Sequence, residues 1–117
     1  MIRNAGGRTF DVGRSLAVLG RIGNPGTIVV MHHTDCGMTH FPDAAVKEHL
    51  YTISPDAGVT IEGVPRYGEI TGSIEESVKE DVAFLRDSPF IKKGTKIVGL
   101  KYDVFNGGLE VIEEHTR

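Results

Sequence analysis

Two side chains in this sequence combine a reactive chemistry with a useful spacing: His33 and Cys36, the latter the only cysteine in the chain. Imidazole nitrogen and thiolate sulfur are the commonest zinc ligands, and a His-x-x-Cys turn lets both converge on one ion. Two ligands fall short of a zinc site. Structural sites take four, and catalytic sites take three and keep an open position for water. The nearest further donors are Asp35, His32 and His40. Asp35 lies inside the turn, so its carboxylate can reach an ion held there. His32 adjoins His33 on an extended run and therefore points to the opposite face. His40 follows Met38 by two residues, and its direction is open. The plainer alternative is a strand-end histidine beside a cysteine that packs as a small hydrophobe.

A second stretch, Arg3-Asn4-Ala5-Gly6-Gly7-Arg8, is rich in glycine and carries two arginines. Such a loop can cradle phosphate at a helix start, but its spacing fits neither the P-loop nor the dinucleotide fingerprint. The better reading is that its glycines let the backbone pass close to the His33–Cys36 turn.

The elements that must position these residues follow from pattern. Thr27-Ile28-Val29-Val30-Met31-His32-His33 is a continuous apolar run ending in polar residues, as expected of a buried strand. Ligands in open α/β sheets bind just past the carboxyl ends of such strands. Met1 to Arg8 reads as the end of a strand entering a loop. Asp11 to Ile22 reads as a helix with Val12, Leu16, Leu19 and Ile22 on one face, capped by Thr9 or Asp11. Strand, helix, strand implies a parallel pair with a right-handed crossover. Pro42 to Leu50 reads as a short helix. Tyr51 to Arg66 reads as a long surface loop with an extended piece near Val59-Thr60-Ile61. Ser73-Ile74-Glu75-Glu76 is a capping box, and its helix runs to about Asp87 with Ile74, Val78, Val82 and Leu85 as the buried stripe. The charged run Glu75 to Asp81 reads as a solvated face. Lys96 to Val104 is a strand, Asn106-Gly107-Gly108 a hairpin turn, and Leu109 to Glu113 a returning edge strand. Asp103 is expected to bond local amides. The expected fold is α/β: a small, mostly parallel sheet flanked by helices, closed by a C-terminal antiparallel hairpin.

Composition narrows the class. At 117 residues there is room for one domain, residues 1–117. A net charge of −3 with scattered Lys and Arg marks no nucleic-acid or membrane surface. No apolar run reaches the length of a bilayer span, and no signal-peptide pattern precedes the first element. A single cysteine cannot form an intrachain disulfide, so a reducing compartment and a cytoplasmic location are expected.

Arg3-Asn4-Ala5-Gly6-Gly7-Arg8 and His33-Thr34-Asp35-Cys36-Gly37, separated by one helix, together resemble the β-class carbonic anhydrases. The resemblance continues through Glu69 to Val82, through Gly99-Leu100-Lys101-Tyr102-Asp103-Val104 and into the final hairpin, so it covers nearly the whole chain. It implies a zinc lyase that interconverts carbon dioxide and bicarbonate, and a homo-oligomer. In that family zinc is held by Cys, His and Cys; His33 and Cys36 match the second and third ligands. Gly37 matches the residue whose backbone amide helps hold substrate beside the metal. The family's first cysteine lies upstream of Arg3, in a Cys-x-Asp-x-Arg motif that also supplies a catalytic Asp/Arg dyad. This sequence contains no such motif, which implies an N-terminally truncated member with no catalytic residue to assign. Two alternatives stand beside carbonate dehydratase activity. One is a non-catalytic paralogue that associates with a full-length carbonic anhydrase. The other is a relative acting on carbonyl sulfide or carbon disulfide.

Overall fold

A computed structural model describes residues 1–117. Its sheet has three strands, β1 (Thr27–His33), β2 (Lys96–Tyr102) and β3 (Leu109–Thr116), in that spatial order. β1 and β2 are parallel, in a register that sets Thr27 beside Lys96 and His33 beside Tyr102. β2 and β3 form the expected antiparallel hairpin, with an irregularity at Gly99/Leu100. The helices are α1 (Gly13–Ile22), α2 (Asp43–Ile53), α3 (Gly58–Glu62) and α4 (Ile74–Arg86).

α4 is the element that makes the core. The Ser73 hydroxyl accepts from the Glu76 amide and the Glu76 carboxylate accepts from the Ser73 amide, so the capping box is complete. The helix lies across all three strands. Val78, Val82 and Leu85 meet Val30, Ile97 and Ile91 in one buried cluster, with Ile74 and Ile112 packed at its margin. The approach is close at Gly99. A side-chain carbon there would meet Val78 Cγ1 at 2.6 Å and Val82 Cγ2 at 2.8 Å, so only glycine lets the helix settle.

The opposite face of the sheet has no helix on it. Side chains alternate along a strand, so Val29, Met31, Leu109 and Val111 stand on that face; each is at least half exposed. The radius of gyration, 15.7 Å, exceeds the roughly 13 Å of a compact domain this long, in keeping with uncovered apolar surface.

Several local expectations need correction. Met1 to Asn4 joins no strand, and Ala5–Gly7 is a 3-10 turn; the parallel pair is made instead by β1 and β2. No side chain caps α1, which starts at Gly13. Its apolar stripe is mostly unburied: Leu16 touches the core, while Leu19 and Ile22 are exposed. Val59-Thr60-Ile61 is helical, because tertiary contacts hold it: Ile61 is buried and its carbonyl accepts from Tyr67 Oη at 2.9 Å. β3 runs on to Thr116, since β2 offers pairing positions as far as Lys96. Asp81, read as solvated, is buried, for reasons given below.

Candidate metal centre

β1 ends in two histidines that point opposite ways, as strand alternation requires. His33 is exposed and His32 is buried. On the exposed side, His33 Nδ1 lies 2.7 Å from the carbonyl oxygen of Thr34. A carbonyl only accepts, so Nδ1 carries the proton and Nε2 keeps its lone pair. That is the tautomer a metal-binding imidazole needs, fixed by the partner such imidazoles usually have.

The turn that follows is tied down on both sides. The Thr34 amide donates to Tyr102 O at 2.9 Å and its hydroxyl accepts from the Val104 amide at 3.0 Å, which anchors the turn to the end of β2. Asp35 takes a left-handed conformation, φ +53°, which a short polar side chain tolerates better than most. Cys36 is buried, and its carbonyl accepts from the amide and hydroxyl of Thr39 as the chain enters the 3-10 turn Gly37–Thr39. Gly37 is exposed, with open space where a side chain would begin.

The other nearby donors are turned elsewhere. Asp35 Oδ1 pairs with His40 Nε2 at 3.2 Å, both side chains well exposed. His32 lies on the far face of the strand, as its parity predicts. No group of three or more His, Cys, Asp or Glu side chains stands together so as to hold a metal ion. His33 and Cys36 therefore match zinc in donor type and, at His33, in tautomer, and amount to two donors where a zinc site takes three or four.

Behind the turn lies a polar cluster that pattern reading missed. Asp81, on α4, is 1% exposed, as is Arg8. Arg8 Nε donates to Asp81 Oδ2 at 3.0 Å, the Thr9 amide donates to the same oxygen at 3.2 Å, and His32 Nε2 lies 3.0 Å from it. His32 Nε2 also faces Gly7 O at 3.2 Å, and Nδ1 lies 2.8 Å from Ser77 Oγ. Arg8 Nη1 donates to Gly68 O and Glu69 O, and Nη2 to Glu80. Burial pushes the Asp81 carboxyl up, but the hydrogen bond from His32 and the charge of Arg8 outweigh it, and the net shift is downward. The glycines of the early loop make room for this. Gly7 has φ +66°, and a side-chain carbon on it would meet Met31 O at 2.8 Å and the His32 ring at 3.1 Å. One signal for the cluster was present in the sequence. Ser77 and Asp81 fall on the same helical face as Ile74, Val78, Val82 and Leu85, the face that goes inward.

The class is defined by a mixed sheet with a His-x-x-Cys turn past the end of its edge strand β1, and comparison with known proteins supplies the family. No protein-family model matches the sequence. The chain is 34% identical over 113 residues to β-carbonic anhydrase 1 of Mycobacterium tuberculosis and of Mycobacterium bovis, covering 96% of itself and 66% of them. It superposes on the carbonic anhydrase of Glaciozyma antarctica with a TM-score of 0.88 at 35% identity, covering 96% of itself and 66% of that chain. For the carbonic anhydrase of Streptococcus mutans the TM-score is 0.80 at 40% identity, over 96% of this chain and 65% of the other. A carbon disulfide hydrolase in its apo form follows, with a TM-score of 0.75 at 27% identity over 93% of this chain and 63% of the other. The chain belongs to the β-carbonic anhydrase family. It spans 66% of the length of its curated relatives.

Proposed function

We propose that His33 and Cys36 are two arms of a zinc site that hydrates carbon dioxide reversibly to bicarbonate and a proton. The observation that carries this reading is the His33 ring. Its Nδ1 is held by Thr34 O, leaving Nε2 free in the same turn as the chain's only thiol, within a chain of this family. Zinc, when bound, supplies the Lewis acidity that makes hydroxide available from water near neutral pH. The protein's own part is to hold the ion and place the substrate. His33 Nε2 and the Cys36 thiolate would be donors, Thr34 fixes the turn to β2, and the open backbone at Gly37 would receive the substrate. A catalytic zinc takes three protein donors. A third donor would have to come from Asp35, turned away from His40, or from a neighbouring subunit. This reading is of a homo-oligomer with a small-molecule substrate and no nucleic-acid or membrane partner. No helix is long and apolar enough to cross a membrane.

The test is metal analysis of the untagged protein together with stopped-flow carbon dioxide hydration. Zinc bound through His33 and Cys36, with hydration lost in His33→Ala, supports the reading. Metal-free protein after zinc incubation rejects it. The two-donor set favours one second reading, a non-catalytic relative that docks on a full-length carbonic anhydrase. Co-purification of that pair, with the isolated chain inactive, would establish it. Sulfide release from carbon disulfide or carbonyl sulfide would instead move the chain toward the hydrolase it resembles.

A further inference from the structure

Ser77, His32 and Asp81 stand in the hydrogen-bonding order of a nucleophilic triad, and a hollow of about 110 Å³ lies beside Ser77. The surroundings argue against catalysis there. The Ser77 hydroxyl is buried and donates to Ile74 O at 2.7 Å. Glu69, Glu76 and Glu80 line the hollow, the wrong charge to stabilise a developing oxyanion. The cluster has a different geometry of use: it ties together the end of β1, the early glycine loop and the Gly68–Glu69 segment around the His33–Cys36 turn.

We propose that Asp81 is a positioning residue for that turn, an inference that rests on the metal-binding reading above. Its carboxylate grips the turn from two directions. Through His32 Nε2 it fixes the last residues of β1 against α4, and strand alternation then sets where His33 projects on the other face. Through Arg8 and the Thr9 amide it fixes the early glycine loop, whose Gly7 lies against Met31 O and whose Gly6 lies against Met38. Arg8 in turn holds the carbonyls of Gly68 and Glu69, and the next amide, Ile70 N, donates to Met38 O at 3.1 Å, just past Cys36. The entry strand, the glycine loop and the segment beyond the turn thus meet at one buried carboxylate. A ligand pair on a short turn binds a metal well only if both donors are held in place beforehand.

The test uses Co²⁺ alone as probe, titrated into the full chain and followed by the thiolate-to-cobalt absorption band, below the unfolding temperature of each variant. Asp81→Asn is expected to weaken Co²⁺ binding by about 10-fold to 100-fold and to alter the band. Leu85→Ala, on the same buried face of α4 but away from the cluster, destabilises the fold comparably and should leave affinity and band unchanged. If Asp81→Asn does not fold, Ser77→Ala, which removes the bond to His32 Nδ1 and the hydroxyl's local bond to Ile74 O within α4 but leaves Asp81 in place, carries the test with a smaller loss in the same direction. Equal affinity in Asp81→Asn and the unsubstituted protein overturns the inference alone, as does an equal loss in Leu85→Ala. No Co²⁺ uptake by the unsubstituted protein overturns the metal reading, and the inference with it.

Discussion

His32 and His33 are the same residue in consecutive positions, and they live in opposite environments. The ring of His32 is buried and meets Ser77, Asp81 and Gly7. The ring of His33 is exposed, with one nitrogen held by a backbone carbonyl and the other free. One side of the strand end is closed by bonds within the chain, and the other is left open for something from outside. The contrast extends over the whole sheet. The α4 face is filled by Val30, Val78, Val82, Leu85 and Ile97, whereas Val29, Met31, Leu109 and Val111 on the reverse face are left to solvent. The first face carries the packing that holds the fold, and the second adds little to it.

The largest effect expected from breaking the closed side comes from Asp81→Ala. It leaves the buried Arg8 guanidinium with only the exposed Glu80 carboxylate as a charged partner, and removing one partner of a buried pair typically destabilises by about 3–5 kcal/mol. Urea unfolding followed by circular dichroism measures it; a loss under about 1 kcal/mol would mean that the cluster behaves like a surface pair. The same carboxylate sets a pH dependence. Its pKa is depressed in the folded state, so its contribution is fully present above the ordinary carboxyl value of about 3.9. That contribution is lost as pH falls through the lower folded value. Stability should therefore decline on the acid side. Asp81→Asn should flatten this decline in urea midpoints taken across pH 2 to 6, a range bracketing the same value.

A second, smaller effect tests the packing beneath α4. Gly99→Ala places a methyl where Val78 and Val82 already stand, and such overpacking usually costs about 1–3 kcal/mol. A substitution on the bare face, Val111→Ala, which removes two carbons, should nevertheless fall within about 0.5 kcal/mol. If both substitutions behave alike in thermal unfolding, the two faces do not differ in the way described.

Why some of this was legible in the sequence and some was not follows from where each signal lies. α4 was legible because a capping box and an apolar stripe are both local. β1 was legible because an unbroken apolar run has few other uses. α3 was not, since Val59, Thr60 and Ile61 prefer strands by themselves and turn helical only against Tyr67 and the residues that bury Ile61. The open half of the candidate site was proposed from residue type and spacing, as His33, Cys36 and Gly37 lie within five positions of one another. The closed half was missed because Arg8 and Asp81 are 73 positions apart, and a charged residue met alone is most often solvated. Only the fold brings them together. The helical phase of Asp81, in line with Val78 and Val82, was the one local hint that it turned inward.

The smallest effect on stability is also the most telling for the comparison. His33→Ala removes an exposed ring whose only bond is to its neighbour's carbonyl, so unfolding free energy should shift by no more than about 0.5 kcal/mol. His32→Ala, one residue earlier, strips Asp81 and Ser77 of a buried partner and should be plainly destabilising. Metal binding should sort the pair the other way. His33→Ala should abolish uptake in a protein that unfolds like the unsubstituted chain. His32→Ala should weaken uptake only as far as it disturbs the turn. A thermal melt and a zinc titration on the two variants decide it. If His33→Ala destabilises the fold as much as His32→Ala while leaving zinc uptake untouched, the exposed side of the strand end is structural and the division between the two histidines fails.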